Sequence, residues 1–166
     1  MQEFHSITQQ ILDISRVQPK APALLTPGQT PTGYQQLTDH IQEVTRHLTT
    51  WGFTSNDRIA LVLPNGPDAA AAFLAISALC ACAPLNPAYT CEEFSFSLQD
   101  LRIKALVTSF PTDHPCRQAA NAAGITVISL VSNPMYTGLF TLDGDLPASS
   151  ASISYSEPDD IALLLH

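Results

Sequence analysis

The stretch most informative about the fold is Arg58-Ile59-Ala60-Leu61-Val62-Leu63-Pro64-Asn65-Gly66-Pro67. It contains five apolar residues in a row, 59–63, followed by the turn residues 64–67. Such a run favours a strand that is covered on both faces of a sheet. The turn residues end the strand, and Pro67 suits the first position of a helix, where a missing N–H costs nothing. The helix predicted next, from Asp68 to about Leu79, is apolar nearly all round, so we expect it to be covered on every side.

Strands and helices alternate along the rest of the chain. Helices are predicted over Ser6–Val17, Tyr34–Trp51, from the Thr90–Glu93 capping box onward, and Pro115–Ala123; strands over Ala105–Thr108, Ile125–Ile128 and Ile161–Leu165, with a short edge strand at residues 23–25. Residues 131–158 are predicted to be an irregular loop before the last strand. The alternation predicts an α/β fold with a doubly wound, mostly parallel sheet and helices on both of its faces.

The predicted core is formed by the apolar sides of these helices and strands. It comprises Leu37, Ile41, Leu48, Leu61, Leu63, Phe73, Ile76, Val107, Val127 and Leu163. The apolar run Ile161–Leu165 sits at the end of the chain, where a core strand is unusual because termini mostly lie at the surface. We therefore expect residues 1–166 to be the first, incomplete part of a larger domain.

The amino-acid composition limits the classes of protein to which this chain can belong. The chain has 166 residues, of which 45% are hydrophobic, and this share is typical of a folded domain. Seven Lys plus Arg against fifteen Asp plus Glu give a net charge of −8, which disfavours nucleic acid as a partner. No targeting segment is apparent, and no apolar stretch has the roughly 18 residues of a membrane span. Four cysteines without zinc-site spacing predict small, mostly buried thiols in a reducing cytoplasm.

Candidate chemical groups are few, and none is assigned a role. His40 and His47 lie seven residues apart, too far for a one-turn metal pair, and are interpreted as surface residues. Asp113, beside His114, is interpreted as the cap of the helix that follows. The helix start at residues 65–67 could hold an anion, but Asp68 would occupy the same positive helix end. The sequence contains no glycine-rich phosphate motif, so no catalytic, cofactor-binding or metal-binding residue is predicted.

Several motifs resemble those of adenylate-forming enzymes, the superfamily of acyl-CoA synthetases, luciferases and peptide-synthetase adenylation domains. They are Tyr34-Gln35-Gln36-Leu37 at a helix start, the Asp57–Asn65 strand with its Pro-Asn turn, Pro84-Leu85-Asn86-Pro87, Glu92-Glu93-Phe94-Ser95-Phe96-Ser97-Leu98, and the run Pro158–His166. The resemblance covers residues 7–166 and is nearest to members similar to oxalate–CoA ligases. Gly33 departs from the threonine usual before the tyrosine.

The resemblance implies an N-terminal subdomain of a ligase that joins a small carboxylate to CoA through an acyl-adenylate. ATP, magnesium and CoA are expected for the full-length family. The family's phosphate loop lies beyond the point matching His166, so this chain alone is expected to bind none of them. The implied partner is the missing downstream ligase region, in cis or in trans. Two alternatives stay open: a non-enzymatic α/β binding module, and one chain of a split ligase.

Overall fold

The computed structural model describes residues 6–148 and 155–165. Their elements in chain order are α1 (Ile7–Val17), β1 (Pro22–Leu24), β2 (Thr32–Gly33), α2 (Tyr34–Thr50), β3 (Arg58–Val62), α3 (Pro67–Ser77), β4 (Ala81–Pro84), α4 (Cys91–Asp100), β5 (Ala105–Thr108), α5 (Pro115–Ala122), β6 (Thr126–Ser132) and β7 (Phe140–Asp143). No helix within the described ranges is both long and apolar enough to cross a membrane.

The central sheet has five strands in the order β4-β3-β5-β6-β7. All neighbouring strands run parallel except β7, which pairs antiparallel with β6. The prediction of an α/β fold with a mostly parallel sheet and helices on both faces is confirmed. The predicted short strand near residue 24 also exists, as β1, but it pairs with β2 in a separate two-stranded sheet.

Two apolar cores lie on opposite faces of the sheet. On one face, α1, α2 and α3 cover a core that contains Leu37, Ile41, Leu48, Leu61 and Ile76. On the other face, α4 and α5 cover a smaller core around Phe94, Leu98 and Leu106. Two sequence predictions are confirmed here: the apolar stripe of α2 faces the core, and β3 is buried on both faces of the sheet. The cover over α3 comes largely from α2 and α1 of the same chain.

The predicted burial is wrong in detail at four residues. Leu163 is not a core residue, because 43% of it is exposed and the predicted strand Ile161–Leu165 makes a single isolated bridge to β4. Phe73 and Val127 are half-buried at the margins of the two cores. His40 is not a surface residue, because the strand β7 packs over it and leaves only 7% of it exposed.

The interval 131–158 is also more regular than predicted. The strand β6 continues to Ser132, and β7 occupies residues 140–143 in antiparallel register, with Leu130 opposite Leu142. The prediction of an unbroken irregular loop is therefore wrong for these residues. β7 forms because Phe140 and Leu142 point into the core while Thr141 and Asp143 face outward, the alternation of a half-buried strand.

Candidate functional site

The strand order reverses at β3, and this reversal defines the edge of the sheet where a ligand site is expected. From β3 the chain goes through α3 to β4 on one side, then through α4 to β5 on the other side. In open α/β sheets, ligands bind in the crevice outside the carboxyl ends of the strands, near such a reversal. The loops after β3, β4 and β5 share that edge because the three strands are parallel.

A cleft of about 490 Å³ opens at the carboxyl ends of β3 and β4. Nine residues line it: Leu61 and Leu63 from the β3 region, Ala69 and Phe73 from α3, Asn65 from the loop between them, and Pro84, Leu85, Asn86 and Pro87 from the end of β4 onward. Local sequence explains the opening. Pro64 and Pro67 follow β3, while Pro84 is the last residue of β4 and Pro87 follows it. Prolines end strand pairing at these points because a proline supplies no N–H for a further ladder bond.

The lining of this cleft is neutral. Asn65 and Asn86 are its polar side chains, and Asn86 Oδ1 accepts a hydrogen bond from the Ala88 N–H at 3.0 Å. The nearby start of α3 has Pro67 at its first position and Asp68 in its first turn. Asp68 in turn accepts a hydrogen bond from the Ser132 hydroxyl. A missing N–H and a carboxylate both weaken the anion-binding capacity of this helix end.

A thiol–imidazole pair lies near the end of β5, and sequence reasoning missed it. The His114 ring stacks on Phe110, with centroids 4.0 Å apart, and its Nδ1 is 3.1 Å from Cys116 Sγ. Nδ1 also accepts a hydrogen bond from the Cys116 N–H, which makes His114 the cap of α5. The prediction that Asp113 caps this helix is therefore wrong. The spacing His114-Pro115-Cys116 was the available signal, because a capping side chain faces the second or third helical N–H.

This pair has the environment of structural residues rather than that of a nucleophile and its base. Cys116 is fully buried, and burial raises the pKa of its thiol. A buried, protonated thiol is a poor nucleophile, since the thiolate is the reactive form. We therefore interpret the pair as structural: His114 caps the start of α5, and Cys116 packs in the second core.

No metal-binding group is found in the described ranges, and no cationic group is found in the lining of the cleft. No group of three His, Cys, Asp or Glu side chains in the described ranges is placed to hold a metal. The cleft has no Lys, Arg or His in its lining, whereas phosphates are bound through cationic side chains or an array of backbone N–H groups. We therefore assign no nucleotide contact to these residues.

Beside the cleft, the segment 161–165 runs along the outer edge of β4. Cys82 donates its N–H to the Ala162 carbonyl at 3.0 Å, and the Leu164 N–H donates to the Cys82 carbonyl at 2.9 Å. Leu164 packs against the core under α4. The side chains of Ile161, Leu163 and Leu165 are 55%, 43% and 76% exposed, and we call these three residues the apolar ribbon. Since Leu163 is level with Cys82 in a parallel pairing, the ribbon runs towards Pro84 and the cleft.

Comparison with known proteins decides the family. The sequence model of the AMP-binding enzyme family matches residues 13–166. The chain belongs to the AMP-binding enzyme family. The resemblance to adenylate-forming enzymes drawn from the sequence is thereby confirmed.

Two curated relatives of this chain are CoA ligases by name. The chain is similar to an oxalate–CoA ligase from Arabidopsis thaliana, with 34% identity over 158 residues, covering 93% of this chain and 31% of the ligase. A probable CoA ligase from Humulus lupulus is 31% identical over 150 residues, covering 87% of this chain and 28% of that protein. The chain therefore spans about a third of the length of the curated relatives it matches.

A solved structure shows the same fold. A fatty acyl CoA synthetase from Mycobacterium tuberculosis superimposes with a TM-score of 0.69 at 19% identity. The match covers 96% of this chain and 32% of that structure. The fold of this chain is thus shared with part of that synthetase.

Proposed function

We propose that this chain forms the N-terminal part of an ATP-dependent ligase that converts a small carboxylate to its CoA thioester. In the first step the carboxylate attacks the α-phosphorus of ATP, which forms an acyl-adenylate and releases pyrophosphate. In the second step the CoA thiol attacks the acyl carbon and AMP leaves. Magnesium is expected with ATP. Membership of the AMP-binding enzyme family, with relatives that are CoA ligases, carries this proposal.

The same proposal holds that the chain does not turn over substrate unaided. Its sequence contains no glycine-rich phosphate loop, and the cleft at the carboxyl edge is neutral. The remaining ligase region would supply the nucleotide site, either in the same polypeptide or as a second chain. In this reading the present chain contributes the sheet and the cleft, and the other region contributes the groups that stabilise phosphate charge.

The test is complementation between two purified proteins. The chain and the remaining downstream region of the Arabidopsis relative are assayed for carboxylate-dependent pyrophosphate exchange, separately and mixed, with oxalate as the first acid because that relative is an oxalate–CoA ligase. Exchange is expected only from the mixture. A matched control carries Leu164→Asp, which disrupts the packing of the segment 161–165 on the core and should weaken complementation.

Two outcomes would contradict the proposal. One is exchange by the pure chain, and the other is saturable heat when the chain alone is titrated with ATP and magnesium.

We also place the protein in the cytoplasm, because Cys80, Cys82, Cys91 and Cys116 are all unpaired, as suits a reducing compartment.

A further inference from the structure

We propose that a groove between the C-terminal ends of α4 and α5 docks an amphipathic helix of a partner protein, one that carries an acidic side chain beside an aliphatic one. The groove has a volume of about 540 Å³. Ile103 and Ile125 belong to its lining and lead into β5 and β6, so the groove lies at the amino ends of these strands. The cleft lies at the opposite edge of the sheet, and a partner bound in the groove would leave it open.

The helices α2, α4 and α5 end in the same way, but α4 alone of these does so with an arginine. The residue in the left-handed conformation after each helix is Gly52 (φ +77°), Arg102 (φ +52°) and Gly124 (φ +68°), respectively. At all of these ends the following residue donates its N–H to the carbonyl five residues before it, at 2.9–3.0 Å. Glycine is the usual residue at this position because a Cβ is strained there. An arginine in its place points to a role for the side chain.

Arg102 supplies the charge of the groove. It is exposed, and the other described residues of the lining are neutral. A guanidinium binds a carboxylate through paired hydrogen bonds. The chain as a whole carries a net charge of −8 and therefore repels acidic partners. A single cation beside an apolar groove then specifies where the carboxylate of a partner is placed.

The remaining lining suits an aliphatic side chain presented by a helix. Leu98 and Ala119 are almost fully buried and form the floor, while Ala122 and Ala123 on the rim are exposed. Such small rim residues let a third helix approach α4 and α5 closely and place one side chain between them. The exposed rim leaves the groove open to solvent, whereas sites for small molecules enclose most of their ligand.

The spacing of the partner's side chains follows from this geometry. Leu98 and Arg102 lie one helical turn apart along the end of α4. A helix packed beside them reaches both with an aliphatic and an acidic side chain that are three or four residues apart. This pairing is the feature that a selection experiment can detect.

The test selects binders from a displayed library of amphipathic helical peptides, with the whole chain as target. Clones are kept if they bind the parent chain and fail to bind Ala122→Trp, which fills the groove. Asn121→Trp puts the same side chain at a neighbouring exposed position outside the lining and should bind these clones like the parent. Arg102→Glu should weaken binding at least about tenfold. Arg46→Glu, at an exposed arginine of α2, should leave it unchanged.

Reversing the charge separates docking from a structural role. Selection on Arg102→Glu itself should enrich Lys or Arg where the parent enriches Asp or Glu, which a purely structural arginine would not produce. Arg102→Gly should lose binding while its midpoint of urea unfolding rises, because glycine relieves the strained backbone.

The proposal is overturned if no clone depends on the groove, if the enriched clones lack the acidic residue, or if Arg102→Glu binds them like the parent. These outcomes hold even if Ala122→Trp is unfolded, which thermal unfolding shows. A lower urea midpoint in Arg102→Gly would assign the arginine to the fold and overturn it too. So would binding of hexanoate as tight as that of the peptides, since the groove would then be a small-molecule site. No readout here involves ligase activity, so this proposal and the proposed function fail separately.

Discussion

The imidazole ring of His40 stands edge-on against the phenyl ring of Phe140, with centroids 4.4 Å apart and planes at 86°. The contact joins the helix α2 to the outer strand β7. Nε2 of His40 has no hydrogen-bond partner among the described residues. Burial lowers the pKa of His40 below its ordinary value of 6.5, and the nearby carboxylates of Glu43 and Asp68 oppose this only in part. The folded protein therefore favours the neutral form of the His40 imidazole.

Stability should consequently fall in mild acid. Below about pH 6.5 the unfolded chain takes up a proton at this histidine while the folded chain does not, so the free energy of unfolding decreases as the pH falls. Urea unfolding between about pH 7.5 and 5.5 measures this slope, in a range where most carboxylates stay ionised. His40→Gln should flatten the slope and His47→Gln should leave it. An unchanged slope in His40→Gln would show that His40 is not the group responsible.

Gly138 should not tolerate a side chain. Its φ of +71° is in the left-handed region, and a Cβ there would lie 2.6 Å from Leu24 Cδ1 and 3.1 Å from the Pro67 carbonyl oxygen. Gly28 has a similar φ of +81° but nothing within 4 Å of the added atom. Both Ala variants incur about 1–2 kcal/mol of backbone strain, so the excess loss in Gly138→Ala measures the clash. Equal losses in urea unfolding would mean that the loop moves aside.

Leu61 should be a principal contributor to stability. Its side chain is 3% exposed and belongs to the core under α2 and α3. Leu61→Ala is expected to lower the free energy of unfolding by about 2–5 kcal/mol, because it leaves a cavity in a packed interior. Leu25→Ala, at a residue that is 65% exposed, should cost less than about 0.5 kcal/mol. A loss in Leu61→Ala as small as that would mean the strand is not covered.

Thiol reactivity should separate one cysteine from the other three. Cys80, Cys82 and Cys116 are buried, and Cys91 is partly exposed. Burial raises the pKa of Cys80 to about 12 and also raises the pKa of Cys82. Native protein treated with a chromogenic disulfide reagent at neutral pH should show one fast thiol, which Cys91→Ser removes. Fast modification of a second thiol without denaturant would show that at least one of these three buried side chains is open to solvent.

The apolar ribbon should make the isolated chain self-associate. Ala162 and Leu164 direct their hydrogen-bonding groups to β4, so the N–H and C=O of Leu163 face away from the sheet. An open edge flanked by exposed aliphatic side chains is a site for association. Sedimentation of the double variant Leu163→Lys, Leu165→Lys should show less association than the parent chain. Val17→Lys, at a residue that is 78% exposed elsewhere, is the control. A monomeric parent chain at high concentration would refute this expectation.

Sequence patterns predicted the elements whose signals are long and local. The stripe Leu37, Ile41, Val44 and Leu48 fixes α2, and the Thr90–Glu93 pair caps α4 as expected, with the Thr90 N–H donating to Glu93 Oε2 at 2.7 Å. The strand β4 was missed because Ala81-Cys82-Ala83-Pro84 is short and has little intrinsic strand preference. Only pairing with β3 makes it a strand.

Burial that depends on a distant neighbour could not be predicted locally. His40 is buried by Phe140, one hundred residues along the chain. Leu163 has the sequence of a core strand but lacks a covering element among the described residues. The cleft was equally invisible, because Phe73 and Leu85 meet only when β3 and β4 lie side by side. The alternation Phe140-Thr141-Leu142-Asp143 was a usable signal for β7.

Among the described residues, the five strands of the sheet end at Asp143, and the segment 161–165 joins the sheet through one bridge at Cys82. Chains generally fold domain by domain from the N-terminus as they leave the ribosome. The fully buried residues of both cores all emerge before that segment. The nascent chain can therefore bury most of its apolar surface early, with the edge of β4 left as the place where later-synthesised residues are taken up.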